Sequence, residues 1–228
     1  MAFLAVAAVI AAYLIGSINF AVIFTKHFTK NDIRDFGSGN AGATNVMRVG
    51  GLKPGILTFV CDALKGFAAS LLGKYLFSII ISSNPSLSWA YPVYGAYLCG
   101  LVCMLGHVFP IFYQFRGGKG VAVSVGIYAV CCPKAIVLGL VVFALVTLLT
   151  KTVSIGSLIA TVTVISLSVV FYNSPIGIFK TELDSAASLL WQSVLSIGMG
   201  VTIILKHIPN IKRLFSGEEK KIKIRRNK

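Results

Sequence analysis

The 228-residue chain is 56% hydrophobic and only 12% charged, with a mean hydropathy of +0.85. Soluble domains carry about 25% charged residues, so this composition excludes a water-soluble globule and points to an integral membrane protein with several spans. The net charge of +14 would suggest nucleic acid in a soluble protein. On a membrane protein it marks the cytoplasmic side and its anionic lipid, so the expected partner is the lipid bilayer and not nucleic acid.

The first apolar run, 2–24, has no basic flank before it, and its first charge, Lys26, follows it. This is unlike a cleavable signal peptide and reads as a span with its N-terminus outside. Further runs predict spans at 55–81, 89–111, 118–132, 135–150, 153–172 and 187–205. The fourth and fifth are shorter than the roughly 20 residues of a straight span. One broken helix over 118–150 is the competing reading, and charge decides between them. With seven spans, one side carries Lys26, Lys30, Arg34, Arg48, Lys53, Arg116, Lys119, Lys151 and the nine cations of the tail. The other side keeps Lys74, Lys134 and Lys180. A single crossing would move the tail cations outside, against the positive-inside bias. The expected fold is therefore an all-α integral membrane protein of about seven transmembrane helices with a cytoplasmic C-terminus. It forms one domain over residues 1–228, with a basic cytoplasmic tail at 206–228.

The five cysteines, Cys61, Cys99, Cys103, Cys131 and Cys132, all lie in apolar runs and predict no disulfide framework. Cys99, Cys103 and His107 are four apart and would stack on one helix face, a spacing that can hold a metal. Small core residues ending in a loop histidine are the simpler reading, and no metal is expected.

Three polar clusters fall on the predicted cytoplasmic side. The first is Ser38-Gly-Asn-Ala-Gly-Ala-Thr-Asn-Val-Met-Arg48. With Gly37 it matches the Gly-x-Gly-x-x-Gly dinucleotide pattern, and Asp62 follows Gly42 at the spacing of a ribose-binding acid. That pattern needs a βαβ unit, whereas residues 27–36 are polar and not strand-like, and Asp62 lies in an apolar span. Asp62 and Lys65 are instead an i, i+3 pair, because an unpaired charge there would be costly. The glycines Gly39 and Gly42 can still bring backbone N–H groups to an anion. Asn40, Thr44 and Asn45 add neutral polar groups, and Arg48 adds a bidentate cation. The second cluster, Gly106 to Ala122, contains Arg116-Gly-Gly-Lys-Gly120 and lacks Walker spacing. The third runs from Lys206 to Glu219, where His207, Asn210 and Arg213 fall on one side of a helix.

Together these stretches resemble the membrane-integral bacterial glycerol-3-phosphate acyltransferases that use acyl-phosphate as donor. The matching residues are Ser38-Gly-Asn-x-Gly-Ala-Thr-Asn-x-x-Arg48, Gly106-His-x-Phe-Pro-x-Phe with Phe-Arg-Gly-Gly-Lys-Gly-Val-Ala122, and Lys206-His-x-x-Asn-Ile-x-Arg-Leu214 with Glu219. Tyr13-Leu-Ile-Gly-Ser-Ile18 and Asp62-x-x-Lys-Gly66 also fit. Asn19 stands where the family usually has Pro, and Lys151 where Arg is common.

The resemblance implies acyl transfer from acyl-phosphate to the sn-1 hydroxyl of glycerol 3-phosphate, giving lysophosphatidate and inorganic phosphate. It implies a bacterial cytoplasmic (inner) membrane protein with its active site at the cytoplasmic face, and no cofactor or covalent acyl-enzyme. The soluble enzyme that makes acyl-phosphate is a candidate partner. Ser38, Arg48, Lys119, His207 and Asn210 are the expected catalytic set. Gly39, Asn40, Gly42, Thr44, Asn45, His107, Gly117, Gly118, Gly120 and Ser154 are expected to bind substrate. Asp62, Lys65 and Glu219 are expected to be structural, with Glu219 tethering the tail. The base is His107, His207 or the donor's own phosphate.

Three other readings compete with this one. A transporter of a phosphorylated solute would also need cationic loops. A phosphotransferase using a nucleotide-activated lipid would need an Asp cluster for Mg²⁺, and the four aspartates are scattered. His27-x4-Asp32 matches the dyad of a different acyltransferase class, without its flanking pattern.

Overall fold

The structure, a computed structural model, describes residues 1–87, 91–173 and 186–221. The expected start of the third span at 89–90, Lys180 and the tail from residue 222 lie outside the described residues. Those described form ten α-helices and no strand. Five helical segments are long and apolar enough to cross a membrane, and a sixth arises if a bent helix pair is one span. The chain is a multi-pass, all-helical membrane protein.

The first segment is broken, where a single span over 2–24 is expected. Helix α1 (Ala2–Ser17) stops at Ile18, whose backbone is extended, and α2 (Phe20–Thr29) restarts after Asn19. Asn19 caps the restart by accepting from the Val22 N–H at 3.2 Å. The break leaves carbonyls without helical partners at membrane depth, where no water can satisfy them. Lys65, on α4 (Leu52–Ser83), answers this. Its ammonium donates to the Gly16 carbonyl at 2.8 Å and the Ile18 carbonyl at 2.6 Å. It also pairs with Asp62 at 3.1 Å, one helical turn away, with both side chains at most 3% exposed.

Helix α4 is the centre of the bundle and packs on α1, α5 (Pro92–Val108) and α6 (Val121–Cys131). Lipid offers no hydrophobic reason for helices to associate, so close backbone approach replaces it. Gly73 and Gly95 show this: a Cβ on either would run into the other's carbonyl.

The expected fourth and fifth spans are two helices. Only Cys132 separates α6 from α7 (Pro133–Thr150). Val121 and Phe143 lie together at one end and Tyr128 and Ile136 at the other, so the two run antiparallel. Helix α6 is nevertheless about 16 Å long, roughly half the hydrocarbon thickness, and is no full-length span. Helix α8 (Val153–Asn173) packs on α7, and α9 (Ala186–Lys206) packs on α8 and α5. A 50° bend at His207 leads into α10 (Ile208–Phe215).

Removing one partner of a buried pair costs about 3–5 kcal/mol. Lys65→Met therefore lowers the thermal unfolding midpoint in detergent sharply, and adding Asp62→Asn restores part of the loss. A single variant as stable as wild type would show that the break needs no cation.

Candidate active site

Residues 36–42 fold as a loop ahead of the short helix α3 (Ala43–Gly50). Gly37 and Gly39 take left-handed backbone, with φ of 68° and 71°, which favours glycine. Asn45 pins the loop from inside. Its side-chain oxygen accepts from the Ser38 N–H at 2.9 Å, and its amide donates to the Phe36 and Ile33 carbonyls at 2.9 and 3.4 Å. With those bonds made, Asn45 shapes the loop. Gly39 faces the Arg34 carbonyl and does not line the pocket described below.

Arg34 ties this loop to the next. It forks onto Asp32 at 3.0 and 2.8 Å and donates to the Tyr113 carbonyl at 3.1 Å. Hydrogen bonding from Arg34 holds the Asp32 carboxyl down at about 2. His27 packs edge-on against Phe28 instead of pairing with Asp32. The His-x4-Asp spacing therefore builds no dyad.

The loop after α5 folds back over His107, whose carbonyl accepts from the Gly118 N–H at 3.1 Å. A Cβ on Gly118 would strike the His107 ring, and one on Gly117 would strike its carbonyl. These two glycines therefore permit close packing and do not line the pocket. Beyond them, Lys119 donates to the side-chain oxygen of Asn210 on α10. The Asn210 amide donates to Ser154 on α8 at 2.7 Å and to Glu219 at 2.6 Å. Glu219 also accepts from Arg213 at 2.9 Å. Glu219 thus ties the start of the tail to α10 through Arg213 and Asn210 and to α8 through Ser154. His207 donates from Nδ1 to the Ile203 carbonyl at 2.8 Å. A carbonyl only accepts, so Nδ1 carries the proton and Nε2 is left as the acceptor in the neutral ring.

These segments line a pocket of about 120 Å³. Ser38, Asn40, Gly42, Thr44, Asn45 and Arg48 line it from the first loop and α3. His107, Lys119 and Gly120 come from the second cluster, and Ser154, His207 and Asn210 from α8, the α9–α10 bend and α10. Asp62 also reaches the wall, 3.5 Å from the His107 Nδ1. Lys65 lies behind it. Glu219 borders an adjoining cavity shared with Ser38 and Arg48.

Sequence reasoning passed over Phe59, Phe143 and Ser157, which the pocket shares with an apolar groove between α6, α7, α8 and α9. Phenylalanines in apolar spans give no signal that separates pocket walls from lipid-facing surface. Arg34 in the sequence shows only as a topology charge. Cys103 donates weakly to the Lys65 carbonyl at 3.6 Å. Among the described residues, no three His, Cys, Asp or Glu side chains are grouped to hold a metal.

Burial pushes the Lys119 ammonium down to about 8, with Arg213, Arg48 and Lys206 acting in the same direction and Glu219 against it. Burial acts to raise the Glu219 carboxyl, but hydrogen bonds from Ser154, Asn210 and Arg213 bring it below its usual value. The pocket is thus a cationic bowl, with Glu219 as a counterweight at its edge and the Asp62 carboxylate in its wall paired with Lys65, and it opens into a hydrocarbon-like groove.

Residues 6–217 match the family described as glycerol-3-phosphate acyltransferase. The chain belongs to this glycerol-3-phosphate acyltransferase family. It is 42% identical over 213 residues to glycerol-3-phosphate acyltransferase 2 of Bacillus anthracis, covering 93% of this chain and 96% of the other. It is 42% identical over 219 residues to the Thermoanaerobacter sp. (strain X514) acyltransferase, covering 96% of each. Among solved structures it resembles PlsY, an integral membrane glycerol 3-phosphate acyltransferase. The glycerol 3-phosphate form of PlsY matches with a TM-score of 0.75 at 34% identity over 96% of each chain. The lysophosphatidic acid form matches with a TM-score of 0.74 at 33% identity over 96% of this chain and 95% of that one. Acyl transfer to glycerol 3-phosphate therefore stands ahead of solute transport as the family's activity.

Lys119 loses its charge as pH rises through about 8, whereas a phosphate monoester is already a dianion above roughly pH 6. The KM for glycerol 3-phosphate should stay flat up to about pH 8 and then rise by up to tenfold per pH unit. Glu219→Gln removes the charge that supports the Lys119 ammonium, so the rise should begin at lower pH. A KM independent of pH up to 10 would separate Lys119 from the bound anion.

Proposed function

We propose that this chain transfers an acyl group from acyl-phosphate to the sn-1 hydroxyl of glycerol 3-phosphate at the cytoplasmic face of the bacterial cytoplasmic membrane. The observation that carries the reading is the convergence of Arg48, Lys119, His207 and Asn210 on one pocket that continues into an apolar groove. A substrate that is anionic at one end and hydrocarbon at the other fits both parts. The resemblance to PlsY in its glycerol 3-phosphate and lysophosphatidic acid forms supports the acceptor and the product.

Acyl-phosphate is a mixed anhydride and already activated. The sn-1 hydroxyl attacks the carbonyl carbon, the carbon–oxygen bond to phosphate breaks, and inorganic phosphate leaves. The hydroxyl proton passes to the departing phosphate, so charge balances without an enzyme base. The enzyme's task is to hold two dianions together and aligned. At a separation of about 5 Å and an effective dielectric of about 20 they repel by on the order of 13 kcal/mol, which is what Arg48 and Lys119 offset. Ser38, Thr44, Asn40 and Ser154 provide neutral polar contacts. His207 Nε2 accepts a hydrogen bond and orients the acceptor's hydroxyls.

Purified protein should turn over acyl-phosphate with glycerol 3-phosphate, and not acyl-CoA or acyl carrier protein thioester. Turnover with acyl-CoA but none with acyl-phosphate overturns the reading. Arg48→Ala should lower kcat/KM by about 10²–10³-fold, the usual loss for one transition-state donor. His107→Asn and His207→Asn should each keep kcat within about tenfold of wild type. A fall of 10²–10⁴-fold in folded protein, the usual contribution of general-base catalysis, would move the base onto that histidine.

A further inference from the structure

The apolar groove has a definite floor. Its upper end is Val121, Phe143 and Ser157, shared with the polar pocket, and its lower end is Tyr128, Ile136, Val164 and Met199. Val121 and Tyr128 are seven residues apart on α6, about 10 Å along the helix axis. At the lower end the lining changes character. The Tyr128 hydroxyl bonds to Ser196 at 2.5 Å, and Ser196 bonds to Ser168 at 3.1 Å. Tyr128, Ser168 and Ser196 are each no more than 4% exposed. Ser168 lies one helical turn beyond Val164, and Ser196 about one turn beyond Met199. The hydroxyl cluster therefore sits just past the end of the groove.

Hydroxyls in the hydrocarbon region of a membrane need partners, and here three of them join α6, α8 and α9 below the groove. Tyr128 is further fixed by Tyr97, edge-on at 6.3 Å between ring centroids. A rigid ring held by this cluster does not give way to a longer alkyl chain. Entry past it would break buried hydrogen bonds against hydrocarbon that can make none.

We propose that Tyr128 is the stop against which the donor's acyl chain ends, and that it sets the longest chain transferred efficiently. The proposal rests on the acyl-donor reading of the groove, whose continuity with the cationic pocket commits it to a chain attached to an anionic head. Ser124, one turn above Tyr128, also lines the groove and is only half-buried. A bulkier side chain there raises the floor.

The test is the profile of kcat/KM against chain length for the full chain in lipid, over a homologous series of saturated acyl-phosphates. One methylene of fit is worth about tenfold or more. Tyr128→Ala should therefore raise the first chain too long for wild type by about tenfold relative to wild type's optimum. Ser124→Leu should move the optimum to shorter chains, with the longest good wild-type substrate falling about tenfold. Glycerol 3-phosphate KM should be unchanged in both. Profiles that fall equally at every length, or that overlay wild type, overturn the proposal. If Tyr128→Ala does not fold, Ser124→Leu decides alone. The same series as acyl-CoA keeps the two readings separable. Turnover with acyl-CoA only would defeat the donor assignment, while the length shift would still report on Tyr128.

Discussion

The arrangement depends on one ammonium placed in the membrane. Lys65 meets three acceptors, the Asp62 carboxylate and the carbonyls of Gly16 and Ile18. A buried cation is tolerated only with such a set, and each partner belongs to a structural decision. The carbonyls come from a break that turns the first span into two helices. The carboxylate stands at the pocket wall beside His107. His107 in turn supports the glycine turn that presents Lys119. The position of a cation that lines the pocket thus traces back to a cation that does not.

The two cations differ in what surrounds them. Lys65 is neutralised within the fold and contributes rigidity. Lys119 is held by the neutral amide of Asn210, so its charge remains available to a ligand. Glu219 is close enough to support that charge and is saturated by Ser154, Asn210 and Arg213. Electrostatic preorganisation of this kind acts because the donors are fixed before substrate arrives.

What was legible in the sequence follows from which residue types have few uses. Asp62 and Lys65 in an apolar run admit hardly any reading but a pair, and they are one. The polar clusters around Ser38, Lys119 and Asn210 stood out because membrane spans rarely carry such residues, and they do converge. Gly117 and Gly118 were visible as special, but their purpose was not: a glycine that approaches a ligand and one that lets a histidine pack look alike in one dimension. The break at Asn19 had a signal, since asparagine is a good helix N-cap, but it lay within a run apolar enough to read as continuous. Phe59, Phe143 and the floor at Tyr128 were illegible, because the walls of a hydrocarbon groove and the outside of a membrane helix obey the same chemistry.

The Lys119–Asn210 bond joins residues 91 positions apart, and Lys220 reaches the Gly37 carbonyl across 183. The loop around Ser38, by contrast, is held by contacts within a dozen residues. Such a difference in sequence separation sets an order of assembly, since long loops close later than short ones. A chain emerging from the ribosome has its first pocket loop shaped early and its counterpart, α10, delivered last. Until then the half-built pocket presents Arg48 and Lys119 without Asn210 in place. The wall of the pocket is therefore completed by the final helix to dock, which brings Asn210 to Lys119.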